Sequence, residues 1–230
     1  MTVAADLDDL KRAAALRAVE EVEDGMVLGL GSGSTAAFAL EALAARIARG
    51  LRIAGIPTSE KTAALARRLG IPLTSFAEHR RIDLTIDGAD QVERGTLNLV
   101  KGLGGALLRE KIVASASRRM IVVVDETKLV ERLGARTPLP VEIVPFGWQT
   151  VLERLAEIGC APRLRFAESM PFTTDSGNVI ADCGIGEIDD ARALEQQLAA
   201  VVGVIESGLF VGLASTVIIG TSTGIAILRR

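Results

Sequence analysis

Ile82-Asp-Leu-Thr-Ile-Asp87-Gly-Ala-Asp90 is followed, after a short spacer, by Lys101-Gly-Leu-Gly-Gly-Ala-Leu-Leu-Arg109-Glu110-Lys111. The first stretch is an apolar run that ends in two aspartates three residues apart. The second is a glycine-rich turn with a lysine at its mouth, opening into a segment with an Arg-Glu-Lys triplet. Read as a strand (82–86) and a helix (106–116), the pair sets a pattern that the rest of the chain repeats.

Working outward, the N-terminal side reads as a helix over 7–22, with Leu10, Ala14, Val19 and Val22 at helical spacing and Asp6 or Asp8 as its cap. A short strand (26–30), the turn Gly31-Ser-Gly-Ser-Thr35 and a helix (36–48) come next. A strand (51–56), a helix (60–69) and a short edge strand (71–73) complete that side. Beyond the opening stretch, 97–100 and 120–124 read as strands. Buried strands alternating with amphipathic helices predict a Rossmann-like, mostly parallel sheet covered on both faces. The pattern changes near 138. Strands at 140–144, 163–166, 178–182 and 203–206 with helices at 148–158 and 190–201 give the order β-α-β-β-α-β of an inserted ferredoxin-like α+β domain. The expected division is a discontinuous α/β catalytic domain (1–130 plus 207–230) and an inserted domain (131–206). The segment 209–213 and the apolar C-terminus are expected to complete the first sheet.

Composition narrows the function. The 230 residues are 49% hydrophobic and 24% charged, so a packed core is expected rather than disorder. With 26 basic and 29 acidic residues interspersed, there is no basic stripe for nucleic acid, and aromatics for base stacking are scarce. A single histidine, His79, and two cysteines, Cys160 and Cys183, match no metal or redox spacing. A zinc site is therefore not expected. Buried thiols in a reducing cytoplasm are favoured over a disulfide. The first nine residues lack the pattern of a signal peptide. The uncharged stretch 207–228 is broken by Gly208, Gly212, Gly220 and Gly224, and reads as buried strands rather than a membrane span.

Four stretches carry candidate chemistry. Gly31 to Thr35 lies between a strand and a helix, where glycines and helix-start amides attract phosphate, and Ser32, Gly33, Ser34 and Thr35 are its candidate contacts. The plainer reading is a helix cap. A dinucleotide reading also exists but ranks well behind, since the second strand closes Gly55-Ile-Pro-Thr58 without the acid it would need. Asp87 and Asp90 follow a strand, and ligands of open α/β sheets bind beyond the carboxyl ends of strands; the alternative is a simple turn. Lys101, before Gly102, Gly104 and Gly105, can present a charge to an oxyanion, or be a solvated loop lysine. Glu110 can be a base for a proton beside a carbonyl, but on spacing alone a helix-start carboxylate fits as well.

In this order, Gly31-Ser-Gly-Ser-Thr35, Asp87-Gly-Ala-Asp90, Lys101-Gly-Leu-Gly-Gly-Ala-Leu-Leu-Arg-Glu-Lys111, Asp125-Glu-Thr-Lys128 and Pro138-Leu-Pro-Val-Glu-Ile-Val-Pro145 resemble the ribose-5-phosphate isomerases of the A type. Thr174-Asp-Ser-Gly-Asn178 and Gly208-Leu-Phe210 extend the resemblance over essentially the whole chain. It implies cofactor-free interconversion of ribose 5-phosphate and ribulose 5-phosphate through an enediol. It implies Glu110 as the base between C1 and C2, Asp87 and Asp90 as the acids that handle hydroxyl protons, and Lys101 as the cation at the enediolate. It also implies substrate contacts at Ser32–Thr35, Gly88, Ala89, Gly102, Leu103, Gly104 and Lys128, with Lys11 as a further phosphate lysine. A homodimer or homotetramer is expected, without nucleic-acid or membrane partners. Leu103 stands where many members have glycine, and 211–216 lacks the charges associated with that segment. Two competing readings are a sugar-phosphate sensor, disfavoured by the single helix before the first strand and by the presence of Glu110, and another sugar-phosphate enzyme on the same scaffold.

Overall fold

The computed structural model describes residues 6–230. The reading of the N-terminus as leaderless falls largely on residues 1–5, outside the described residues. In chain order the elements are α1 (Leu7–Val19), β1 (Val27–Leu30), α2 (Ser34–Ile47), β2 (Ala54–Pro57), α3 (Glu60–Arg68), β3 (Ile82–Asp87), β4 (Gln91–Glu93), β5 (Leu99–Val100), α4 (Leu107–Ser115) and β6 (Ser117–Asp125). A 3-10 turn (Glu126–Lys128) leads to β7 (Leu129–Val130), β8 (Leu139–Ile143), α5 (Trp148–Glu157), β9 (Ala161–Leu164), β10 (Phe166–Ala167) and β11 (Met170–Pro171). The chain ends with β12 (Val179–Gly184), α6 (Ala191–Ala199), β13 (Val204–Ser207), β14 (Leu209–Phe210), β15 (Thr216–Thr221) and β16 (Gly224–Arg229).

Two compact units emerge: Met1–Ala89, Glu110–Leu129 and Leu213–Arg230 in the first, Asp90–Arg109 and Val130–Gly212 in the second. The first is a six-stranded sheet in the order β16-β15-β6-β3-β1-β2, parallel except for the β15–β16 hairpin. Alternation along β3 explains its two faces. Leu84 and Ile86 join Leu28, Leu30, Ile121, Val123 and Ile218 under α1 and α2. Thr85 points the other way, where Val113 of α4 closes over Gly29. Helices therefore cover both faces, as the mostly parallel reading requires.

Helix α1 stops at Val19, short of the expected residue 22. The guanidinium of Arg46, on α2, donates to the carbonyls of Val19 and Val22, and the tighter bonds Glu21 N→Ala18 O and Val22 N→Val19 O end the helix. Its start is as read: Asp6 caps it by accepting from the Asp8 amide.

The second unit contains the antiparallel sheet β13-β8-β12-β9 with α5 and α6 between its strands, the expected β-α-β-β-α-β order. Cys160 and Cys183 are free thiols buried in its core. One expectation is corrected. Leu209 and Phe210 do not join the first sheet; β14 pairs with β5 in a small sheet ordered β14-β5-β4-β7. Gly208 is the cause. Its N–H donates to Pro140 O and its carbonyl accepts from the Lys101 amide, which ties this segment beside β5. Of the C-terminal apolar run, β15 is buried, whereas β16 is a largely exposed edge strand. Among the described residues, no helix is long and apolar enough to cross a membrane.

Candidate active site

In the first unit the register Leu30↔Ile86 brings the residue after β1 beside the last residue of β3. β2 lies on one side of β1 and β3 on the other, so this is the switch point of the sheet, where open α/β proteins bind ligands. Gly31 occupies it. A Cβ there would fall 2.3 Å from Asp87 Oδ1, so only glycine permits so close an approach. Asp87 is fully buried, and its Oδ1 accepts from the amides of Ser32 (3.0 Å) and Gly88 (2.8 Å). These bonds lock the carboxylate to the loop that precedes α2.

That loop is built on a hydroxyl cluster. Ser32 Oγ lies 2.8 Å from Thr58 Oγ1, 2.8 Å from Ser59 Oγ and 3.0 Å from Thr62 Oγ1. Thr58 and Thr62 in turn donate to the carbonyls of Leu30 and Gly31. The Ser32 hydroxyl thus anchors the loop, while Ser34 is exposed and Thr35 half-buried at the start of α2. Helix α2 has a glycine, Gly33, at its N-cap and no side-chain capping bond, so its first-turn amides face outward as anion donors. At the end of β6, Asp125 caps the 3-10 turn that carries Lys128, accepting from the Thr127 amide at 2.9 Å. Lys11 is ion-paired with Asp8 on its own helix at 2.9 Å.

In the second unit, Asp90 Oδ2 accepts from the Leu103 amide at 2.9 Å, which folds the 101–105 turn over this carboxylate. Lys101 is 3% exposed, with Nζ 5.5 Å from the centre of the Phe210 ring. Gly105 takes a φ of 81°, and a side chain there would strike Phe172. Arg165 braces the turn. Its Nη1 donates to the carbonyls of Gly102 and Leu103, both at 3.0 Å, while the rest of the guanidinium pairs with Asp182.

Helix α4 begins in the second unit and continues into the first at Glu110. Glu110 lies in its first turn and is only 5% exposed, too buried for a helix-start carboxylate that merely faces water. Among the described residues no group of three or more His, Cys, Asp or Glu is placed to hold a metal ion. Reading the sequence alone missed three supports: the Thr58, Ser59 and Thr62 hydroxyls, the Arg165 brace and buried Glu142. The first was visible as Ser59-x-x-Thr62 at a helix start, and the last as an acid inside an otherwise apolar strand, Pro140-Val-Glu-Ile-Val144.

An anion-seeking helix start locked to a buried carboxylate at a switch point defines an α/β enzyme of small phosphorylated substrates. The chain belongs to the family of Ribose 5-phosphate isomerase A (phosphoriboisomerase A), whose model matches residues 54–224. It is 57% identical to Ribose-5-phosphate isomerase A of Gloeobacter violaceus, over 97% of each chain. It superimposes on a solved D-ribose-5-phosphate isomerase in complex with phospho-erythronic acid with a TM-score of 0.95, at 39% identity over 98% of this chain and 100% of that one. The corresponding values for ribose 5-phosphate isomerase A of Methanocaldococcus jannaschii are 0.93, 41%, 98% and 100%.

Proposed function

We propose that this chain is an aldose–ketose isomerase that interconverts D-ribose 5-phosphate and D-ribulose 5-phosphate through an enediolate. The observation that carries the reading is the full-length likeness to isomerases of this family. The solved relative with phospho-erythronic acid adds to it. That ligand is a phosphorylated four-carbon acid whose planar carboxylate imitates an enediolate at the end of a phosphorylated chain.

The roles follow from the chemistry. Glu110 takes the proton from C2 of the open-chain aldose and returns it to C1. The electron pair from the C2–H bond forms the C1–C2 double bond of the enediolate, and the charge moves onto O1. Lys101 faces the developing oxyanion, where a fixed cation stabilises the transition state more than the ground state. Asp87 and Asp90 move the hydroxyl proton between O2 and O1 and assist ring opening. The amides and hydroxyls at Gly33, Ser34 and Thr35 hold the phosphate together with Lys128, and Lys11 adds charge; Ser32 contributes by setting the loop. Gly88, Ala89, Gly102, Leu103 and Gly104 line the sugar. Phosphate binding at one end orients the reacting carbons at the other.

In this reading no metal takes part, the enzyme works in the reducing cytoplasm, and it assembles as a homodimer or homotetramer. The test is ketose appearance from ribose 5-phosphate with the purified chain. Turnover unchanged by chelator is expected; no turnover would overturn the isomerase reading, and loss on chelation would overturn the metal-free mechanism.

A further inference from the structure

Glu142 is a buried carboxylate for which the isomerisation has no task. It lies on β8 and is 1% exposed. Its Oε1 accepts from Thr174 Oγ1 and from Asn178 Nδ2, each at 2.9 Å. Burial pushes its pKa above the ordinary carboxylate value, although the two side-chain donors, the Leu108 amide and the nearby Arg109 guanidinium all oppose that rise. A carboxylate so far from water is costly, and an apolar side chain of similar size would often serve stability as well. Its value lies in what it holds.

The donors form a closed ring. Thr174 and Asn178 bracket a tight turn, with Thr174 N→Asn178 O and Gly177 N→Thr174 O both at 2.9 Å. The carbonyl of Asp175, in that turn, accepts from Arg109 Nη2 at 2.7 Å. Arg109, the residue before Glu110, is thus held by the turn that Glu142 ties down.

We infer that Glu142 is a positioning residue for Glu110: it holds the 174–178 turn that grips Arg109, and so steadies the start of α4 and the direction of the next side chain. The inference rests on Glu110 being the base. A base must be held to a fraction of an ångström, since a displacement of about 1 Å costs on the order of 100-fold in rate.

The test measures kcat, KM for ribose 5-phosphate and Tm for the full chain and for E142A, E142Q, N178A and E110Q. E142A is expected to lose roughly 30- to 100-fold in kcat and N178A about 3- to 10-fold, with KM within about twofold. E142Q, which keeps Oε1 as an acceptor, is expected to recover a large part of the E142A loss. N178A, at a half-buried turn position, carries the test if E142A does not fold. Wild-type kcat in folded E142A or in N178A overturns the inference, as does a loss confined to Tm or KM, or an E142Q as slow as E142A. E110Q separates the two claims. If E110Q is inactive while N178A is unimpaired, only the positioning role fails; if E110Q turns over normally, the base assignment fails and takes this inference with it.

Discussion

Leu103 sits in a turn whose glycines, Gly102 and Gly105, take φ of 106° and 81°. Its own backbone stays outside that left-handed region, its side chain is 40% exposed, and its contact with Asp90 runs through the amide. A leucine at this position therefore leaves the turn intact. Leu103→Gly should keep kcat within about twofold and cost about 0.4–1 kcal/mol of stability through the freer unfolded chain, measurable by urea denaturation. A tenfold loss of activity would show that the leucine side chain itself touches the sugar. Gly31 has no such freedom. Gly31→Ala pushes a methyl into Asp87 and should destabilise by about 1–3 kcal/mol while moving the carboxylate, so that Tm and kcat fall together.

At the level of elements, the loop between β1 and α2 is positioned by hydroxyls from α3 and the turn that leads into it. Thr62→Val removes the hydroxyl that donates to Gly31 O and contacts Ser32 and Ser59. It should cost about 1–3 kcal/mol, since it leaves buried polar groups short of partners. The KM for ribose 5-phosphate and the inhibition constant of inorganic phosphate should both rise several-fold, with kcat less affected. A lower Tm with unchanged phosphate affinity would make the cluster a packing device only. This level also shows what a sequence can carry. The strands and helices of the parallel sheet were legible because buried runs and amphipathic periods are local signals. The pairing of β14 with β5 was not, because Leu209 and Phe210 are as apolar as a central strand. Their place is decided by Gly208, whose two backbone bonds reach Pro140 and Lys101. Likewise Asp87 and Asp90 were legible as strand-end acids. Arg165, with 163–166 read simply as a strand, gave no hint that its guanidinium reaches the carbonyls of Gly102 and Leu103.

For the whole molecule, Glu142 gives stability a pH dependence of known sign. Its folded-state pKa is raised by burial above the ordinary 4.5. From about that ordinary value up to the raised one, the folded chain holds a proton that the unfolded chain has released. Stability then falls as pH rises through the window. Glu142→Gln cannot titrate, so the stability difference between wild type and variant, read from denaturation midpoints at a series of pH values, should shift in the variant's favour as pH rises from 4.5. A difference independent of pH would mean that the carboxylate does not change protonation on unfolding. The same carboxylate steadies the helix that carries Glu110, so the spot that burdens stability is the one that would serve catalysis.

Glu110 is where the account is most exposed, because position alone left it as either a helix-start carboxylate or a base. Wild-type chain and Glu110→Gln, incubated side by side with ribose 5-phosphate and excess chelator, decide it by the rate at which ribulose 5-phosphate appears. Steady conversion by the wild type is expected, with a loss of about 10²- to 10⁴-fold in the variant, its fold and substrate binding retained. Equal rates in the two proteins, or no ketose from either, would contradict this expectation.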